Sequence, residues 1–255
     1  MNKDPTKRFS DRVENYAKYR PSYPIQLINH LKENFIIKTG QNIADIGSGT
    51  GIFSQLLLTT GNRIFAVEPN KEMRLKAEQS LQSNPLFISV NGTAENTTLK
   101  ENSIDIITAA QSFHWFDLKK TKDEFKRILK PEGYIVLVWN VRDSEASPFL
   151  FEYDKMLRNH CPEYSQVNHR NIGLEKIAHI INPRKIQKFS CQNMQSFDFE
   201  GLKGRLKSSS YTPTEDMPEY SLLMDDLTKL FKNFQIDGKI QFKYNCEMYY
   251  GKLNE

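Results

Sequence analysis

Cysteine is scarce in this chain of 255 residues, and the three that occur, Cys161, Cys191 and Cys246, are far apart. They make no metal-ligand spacing and no even-numbered disulfide framework, so reduced, structural thiols are expected and no metal is. No run of about 18 apolar residues occurs, and the opening MNKDPTKRFSDRVENYAKYR has no apolar segment of signal-peptide length. The expectation is a cytoplasmic protein with no membrane partner. Blocks of one charge sign are also missing. The 35 Lys and Arg against 31 Asp and Glu leave a net charge of +4 dispersed along the chain, which argues for solvated helix faces over a nucleic-acid surface. Repeats, low-complexity tracts and linkers are absent, which leaves separate domains unsupported. No Ser-His-Asp or Cys-His arrangement stands out for nucleophilic catalysis.

What is present is a stretch from Ile43 to Gly51, IADIGSGTG, with Gly47, Gly49 and Gly51 at every second position between two apolar segments. A buried strand, a tight glycine turn and a helix packed back on the strand have this pattern. Glycine suits a turn whose backbone angles exclude a Cβ and whose bare surface a ligand can touch. Unpaired amides at a helix start would make that turn a seat for an anionic group. A phosphate-binding P-loop is excluded, because no lysine lies near Gly47 to Ser54. A nicotinamide dinucleotide fits poorly: the third glycine comes one residue early for G-x-G-x-x-G, and no tyrosine has a lysine four residues later.

Taken in order, Ser10 caps a short helix that the Pro21 to Pro24 segment must break, with Tyr16, Tyr19 and Arg20 at or beside the break. Ile25, Leu27, Ile28, Leu31 and Phe35 then recur at helical spacing, and His30 within them reads as a surface or packing residue. Strands are expected at 43–46, 63–68, 86–90, 104–109 and 134–139, alternating with helices, which argues for a mostly parallel sheet covered on both faces. Beyond Asn140 the pattern loosens. Helices are expected at 149–158, 199–207 and 220–234, and strands at 185–190 and 239–250. Residues 142–182 read as a cap inserted before the last strands.

Several acids are placed for ligand contact. Glu68, at the end of the second strand, is positioned to accept the hydroxyls of a ribose. Asp45 takes an ammonium group or braces the turn, and Ala94 with Glu95 frames an adenine or, alternatively, starts a helix. IADIGSGTG, VEPN with Glu68, GTAE with Glu95, IDIITAAQSFHWFD and LKPEGYIVLVWN together resemble the ordered motifs of class I S-adenosylmethionine-dependent methyltransferases over residues 43–140. YAKYRPSYP and AQSFHWF further resemble a small-molecule subgroup that includes trans-aconitate methyltransferase.

The resemblance implies a Rossmann-like α/β fold, a seven-stranded mostly parallel sheet ordered 3-2-1-4-5-7-6 with its last strand antiparallel, and a single methyltransferase domain over 1–255. Its core would be 36–141 and 183–255, with an N-terminal lid over 1–35 and the cap insertion over 142–182. It also implies S-adenosyl-L-methionine as cofactor and S-adenosyl-L-homocysteine as product. The methionine end would lie near Asp45, Gly47, Ser48 and Gly49, the ribose on Glu68, and the adenine by Ala94 and Glu95. Arg20 would pair with the carboxylate, Tyr16 or Tyr19 would close over the methyl, and Gln111 would face the substrate.

The acceptor is expected to be a small molecule with an O-, N- or C-nucleophile, a carboxylate among them, bound by a monomer or homodimer without nucleic acid. His114 is the candidate base, since an imidazole titrates near pH 6.5; the alternative is that His114, Trp115 and Phe116 shape the pocket wall. A carboxylate acceptor needs no base, and Arg142 or Arg205 would then matter more. Two other functions remain open: a non-catalytic cofactor-binding regulatory protein, and an RNA methyltransferase.

Overall fold

A computed structural model describes residues 12–165 and 173–253. The expected Ser10 cap, the first part of the 1–35 lid and residues 166–172 of the expected cap insertion lie outside the described residues. Seven strands form one sheet in the order β3-β2-β1-β4-β5-β7-β6, the order implied by the motifs. They are β1 (Asn42–Ile46), β2 (Arg63–Val67), β3 (Phe87–Val90), β4 (Ile104–Ala110), β5 (Leu129–Arg142), β6 (Gln187–Phe197) and β7 (Ile240–Gly251). Strands β1 to β5 pair in parallel, and β7 runs antiparallel to both β5 and β6.

Alternation along the strands divides the core. Ile43, Ile64, Ile106 and Val136 face one side, against α2 (Gln26–Glu33) and α3 (Ile52–Leu58). Ala44, Val67, Ile107 and Ile135 face the other, against α5 (Leu118–Ile128) and α7 (Leu174–Ile180). Strands covered on both faces are apolar nearly throughout, and each fully buried aliphatic side chain contributes about 1.5–3 kcal/mol. Helix starts are fixed by side-chain caps: Asn70 accepts the Met73 amide at α4 (Lys71–Leu81), and Asp198 accepts the Gly201 amide at α8 (Phe199–Lys207).

Three local readings change. Phe35, expected on the apolar face of α2, is 76% exposed with φ of 58°. That left-handed residue reverses the chain, and Ile36 and Ile37 bury instead. Strand β5 begins at Leu129, directly after α5, because Pro131 bars Lys130 from helical angles. The two helices of the 142–182 stretch separate: Leu150, Tyr153 and Leu157 of α6 (Pro148–His160) pack with α8 and α9 (Pro218–Phe234), whereas Ile177 and Ile180 of α7 join the α5 side of the main core.

The first helix, α1 (Val13–Tyr19), lies on α8. Arg12 donates to the carbonyls of Ser209 at 2.5 Å and Thr212 at 3.0 Å, and Arg20 to that of Ser208 at 2.9 Å. These carbonyls follow the end of α8, where a helix leaves acceptors unsatisfied and favours cations. The Tyr19 ring fills the space over Gly204, where an added Cβ would stand 2.1 Å from a ring carbon. Alanine normally stabilises a helix interior over glycine by about 1 kcal/mol. Here Gly204→Ala is expected to lower stability to urea, and to raise it in a Tyr19→Ala background. A Gly204→Ala chain as stable as the parent would show that the ring does not occupy that notch.

Candidate functional site

The C-terminal ends of β1, β2 and β4 meet around the glycine turn, the edge at which open α/β sheets bind ligands. Gly47, Gly49 and Gly51 have φ of 67°, 57° and 83°, angles that side chains rarely adopt. Space excludes a Cβ at two of them: at Gly47 it would lie 2.6 Å from Ser112 Cβ, and at Gly51 2.7 Å from a Leu81 methyl. The turn's amides are not the open anion seat expected from sequence. Those of Gly47 and Ser48 donate to the Val67 carbonyl, that of Gly49 to Glu68 Oε2 at 2.9 Å, and that of Gly51 to the Ser48 carbonyl. With these amides bonded internally, the turn offers a bare, rigid surface.

Asp45 lies beneath it, 1% exposed. Its Oδ2 accepts the Ser54 hydroxyl at 2.6 Å and its Oδ1 the Thr108 hydroxyl at 2.9 Å. Burial pushes the carboxyl up to about 6, against the pull of those two hydroxyls. Glu68 is held by amides: besides Gly49, the Asn70 amide donates to Oε1 at 2.8 Å. Burial raises its pKa too, opposed by these bonds and by Arg74.

One cleft gathers Tyr16, Arg20, Asp45, Gly47, Ser48 and Gly49 from the early part of the chain, and Gln111 and His114 from beyond β4. Gln111 has a left-handed φ of 56°, held by its amide on the Val138 carbonyl and its Nε2 on the Asn140 carbonyl. His114 sits on a 3₁₀ turn, Phe113–Trp115, anchored by the buried Phe113 ring against Phe116 and Trp139.

Four expected contact residues do not line this cleft. Tyr19 is taken up by the Gly204 notch, so of the tyrosine pair Tyr16 faces the cleft. Glu68 is bonded to the turn's Gly49 amide, Ala94 is packed in the core, and the Glu95 carboxylate accepts the Asp117 amide at the start of α5. None of these three lines the cleft. His30, expected as a packing residue, stacks on Phe189 and bonds the Tyr250 hydroxyl at 2.9 Å.

The far wall of the cleft includes Arg142 and Arg205, and also Tyr164, Tyr211 and Tyr244, which sequence reading did not single out. Tyr244 alternates within β7 like a core residue, and Tyr211 follows a polar SSS run without period. That run, directly after a helix that buries an arginine, was the available signal. Among the described residues no helix is long and apolar enough to cross a membrane, and no group of three His, Cys, Asp or Glu could hold a metal ion. Cys191 and Cys246, distant in sequence, are directly opposed on β6 and β7, and both are free thiols.

Residues 44–137 match the family model of a methyltransferase domain. An uncharacterized methyltransferase of Mycobacterium bovis is 35% identical over 141 residues, 55% of each chain. The chain thus spans about half the length of that relative. A solved structure of a putative type II methyltransferase from Anaeromyxobacter dehalogenans superposes with a TM-score of 0.63 at 20% identity, over 92% of this chain and 98% of that one. Phosphoethanolamine N-methyltransferase 2 of Haemonchus contortus, solved with S-adenosyl-L-methionine, gives a TM-score of 0.54 at 18% identity, over 97% of this chain and 58% of that one. The two superpositions establish the fold.

The Asp45 carboxyl generates a pH dependence. Its folded value, about 6, lies above the ordinary 3.8, so its stabilising protonated form is fully present below about pH 4 and lost as pH rises through 6. The unfolding free energy of Asp45→Asn relative to wild type is therefore expected to grow by roughly 1–1.5 kcal/mol between pH 5 and pH 8. Urea titrations at both pH values check this; a difference that stays constant would mean that Asp45 titrates normally in the fold.

Proposed function

Because residues 44–137 match the family model of a methyltransferase domain, we propose that this protein transfers a methyl group from S-adenosyl-L-methionine to a small-molecule acceptor. One observation carries the reading. A buried carboxylate, Glu68, is fixed at the end of β2 by the amides of Gly49 and Asn70, beside a bare glycine turn. Each of its oxygens keeps an acceptor position after those bonds, which suits the two hydroxyls of a ribose. Asp45 and the backbone of Gly47, Ser48 and Gly49 would hold the amino-acid end, with Arg20 for its carboxylate, Tyr16 over the methyl side and Gln111 toward the acceptor. Ala94 and Glu95 would border the adenine. The likeness of YAKYRPSYP and AQSFHWF to the trans-aconitate methyltransferase subgroup supports a small acceptor over a macromolecule.

The chemistry such a cofactor supplies is a methyl group already activated on a sulfonium. What remains for the chain is to orient an acceptor and exclude water, and orientation of this kind supplies about 7–11 kcal/mol in favourable cases. In this reading residues 1–255 act as one domain, α1 of the 1–35 stretch closes the cleft, and α6 of the 142–182 stretch backs its acceptor end. The imidazole of His114, on its anchored turn, is placed to take a proton from an acceptor that carries one.

S-adenosyl-L-homocysteine is expected to raise the melting temperature, NAD is not, and Glu68→Ala should remove most of the shift. A shift with NAD alone, or one unchanged in Glu68→Ala, counts against the cofactor and ribose assignments respectively. For His114→Ala, kcat should fall on the order of 10²-fold with phenol or ammonium acceptors and far less with a carboxylate. Full turnover with every acceptor from pH 6 to 9 would leave His114 as part of the wall.

A further inference from the structure

Three arginines from distant parts of the chain line one end of the cleft: Arg20 after α1, Arg142 at the end of β5 and Arg205 within α8. Arg205 is 6% exposed, yet its partners among the described residues are neutral: the Tyr244 hydroxyl at 3.3 Å from Nε and the Ser209 hydroxyl at 3.1 Å from Nη1. Arg20 donates from Nη2 to the Ser208 carbonyl and lies over the Tyr16 ring, while its buried Nε has no hydrogen-bond partner. Arg142 is bonded to Asp154 at 3.1 Å and to the Tyr164 hydroxyl at 2.5 Å, but Asp154 also bonds Arg158 at 2.8 Å.

Among the described residues, Arg20 and Arg205 have no carboxylate paired to them. Around the cleft end, Asp154 is the carboxylate paired to these arginines among the described residues, and it is shared with a fourth. Asp45, the acid among the residues lining the cleft, is engaged by Ser54 and Thr108. Tyr211 records the imbalance: burial pushes its phenol up, but the charges of Arg142, Arg205 and Arg20 carry it below its ordinary value. Burial and the charge of Arg205 likewise lower Arg20.

Burying a cation without a counter-charge costs several kcal/mol, and a fold keeps such a group where a ligand completes it. The single carboxylate of the cofactor proposed above answers one arginine, and its ammonium and sulfonium add positive charge. At least one buried arginine is left over. We propose that the methyl acceptor carries an anionic group, a carboxylate or a phosphate, seated on Arg205 beside Arg142 and the hydroxyl of Tyr211. Planar guanidinium forks suit the oxygens of either group. The cations line the wall of a cleft instead of a surface stripe, which fits a small anion. This inference rests on the methyltransferase reading, and the experiment separates the two.

Calorimetry on the full chain saturated with S-adenosyl-L-homocysteine would titrate citrate and succinate in one arm and glycerol 3-phosphate in another. Trimethyl citrate, dimethyl succinate and glycerol serve as neutral counterparts, and ionic strength is matched with chloride. Binding below about 1 mM in one arm is expected, with the neutral counterpart at least tenfold weaker. The arm that binds distinguishes carboxylate from phosphate. Arg205→Met should weaken that binding at least tenfold, and Tyr244→Phe, a milder change that frees the Arg205 Nε, should weaken it less. Equal binding of charged and neutral probes, no anion binding at 10 mM, or undiminished binding in a folded Arg205→Met chain overturns the inference. Absence of any response to S-adenosyl-L-homocysteine overturns the cofactor reading instead, and an anion that still binds then is no methyl acceptor.

Discussion

The Asp45 carboxylate holds three elements at one point, because its two oxygens are bonded to the hydroxyls of Ser54 on α3 and Thr108 on β4 while its own backbone belongs to β1. Everything at the sheet's binding edge is referenced to that junction. The glycine turn begins two residues later, and its amides are fixed to Val67 and Glu68 of the β2 end. A buried acid with two hydroxyl donors gives directional bonds that apolar packing cannot. The fold bears the cost of a carboxyl it would rather keep protonated, and in exchange the turn has one position.

Much of this was legible in the sequence because it is local. Three glycines in five residues dictate the turn, and apolar runs bounded by turn residues dictate the strands. Asp45, Gly47 and Gln111 follow from their places at strand ends. Longer-range choices were not legible. Tyr16 and Tyr19 are three residues apart, about 60° around a helix, and the notch at Gly204, nearly two hundred residues on, takes one of them. Phe35 has the spacing of a core residue and is expelled by a left-handed turn. The sequence names Arg142 and Arg205 for a carboxylate acceptor, but nothing local shows that Tyr244 of β7 joins them, since Arg205 stands on a helix between the buried Leu202 and Leu206.

The cleft has two walls of different character. The β1–β4 wall is backbone and one buried carboxylate, Asp45, drawn from the contiguous motif region and tightly braced. The opposite wall is made of arginines and tyrosines brought from separated segments, with rings packed edge to face, as in the Tyr164–Tyr211 pair at 4.9 Å. One wall is suited to a shared ligand and the other to a particular one.

The bonds from Arg12 and Arg20 to α8 reach main-chain carbonyls at 208, 209 and 212, not side chains. The seat of α1 beside the cleft is thereby independent of which side chains stand at 210 and 211, two positions that line it. Descendants of this chain can therefore change the lining of the cleft by substitution there without removing the carbonyls that hold its first helix in place.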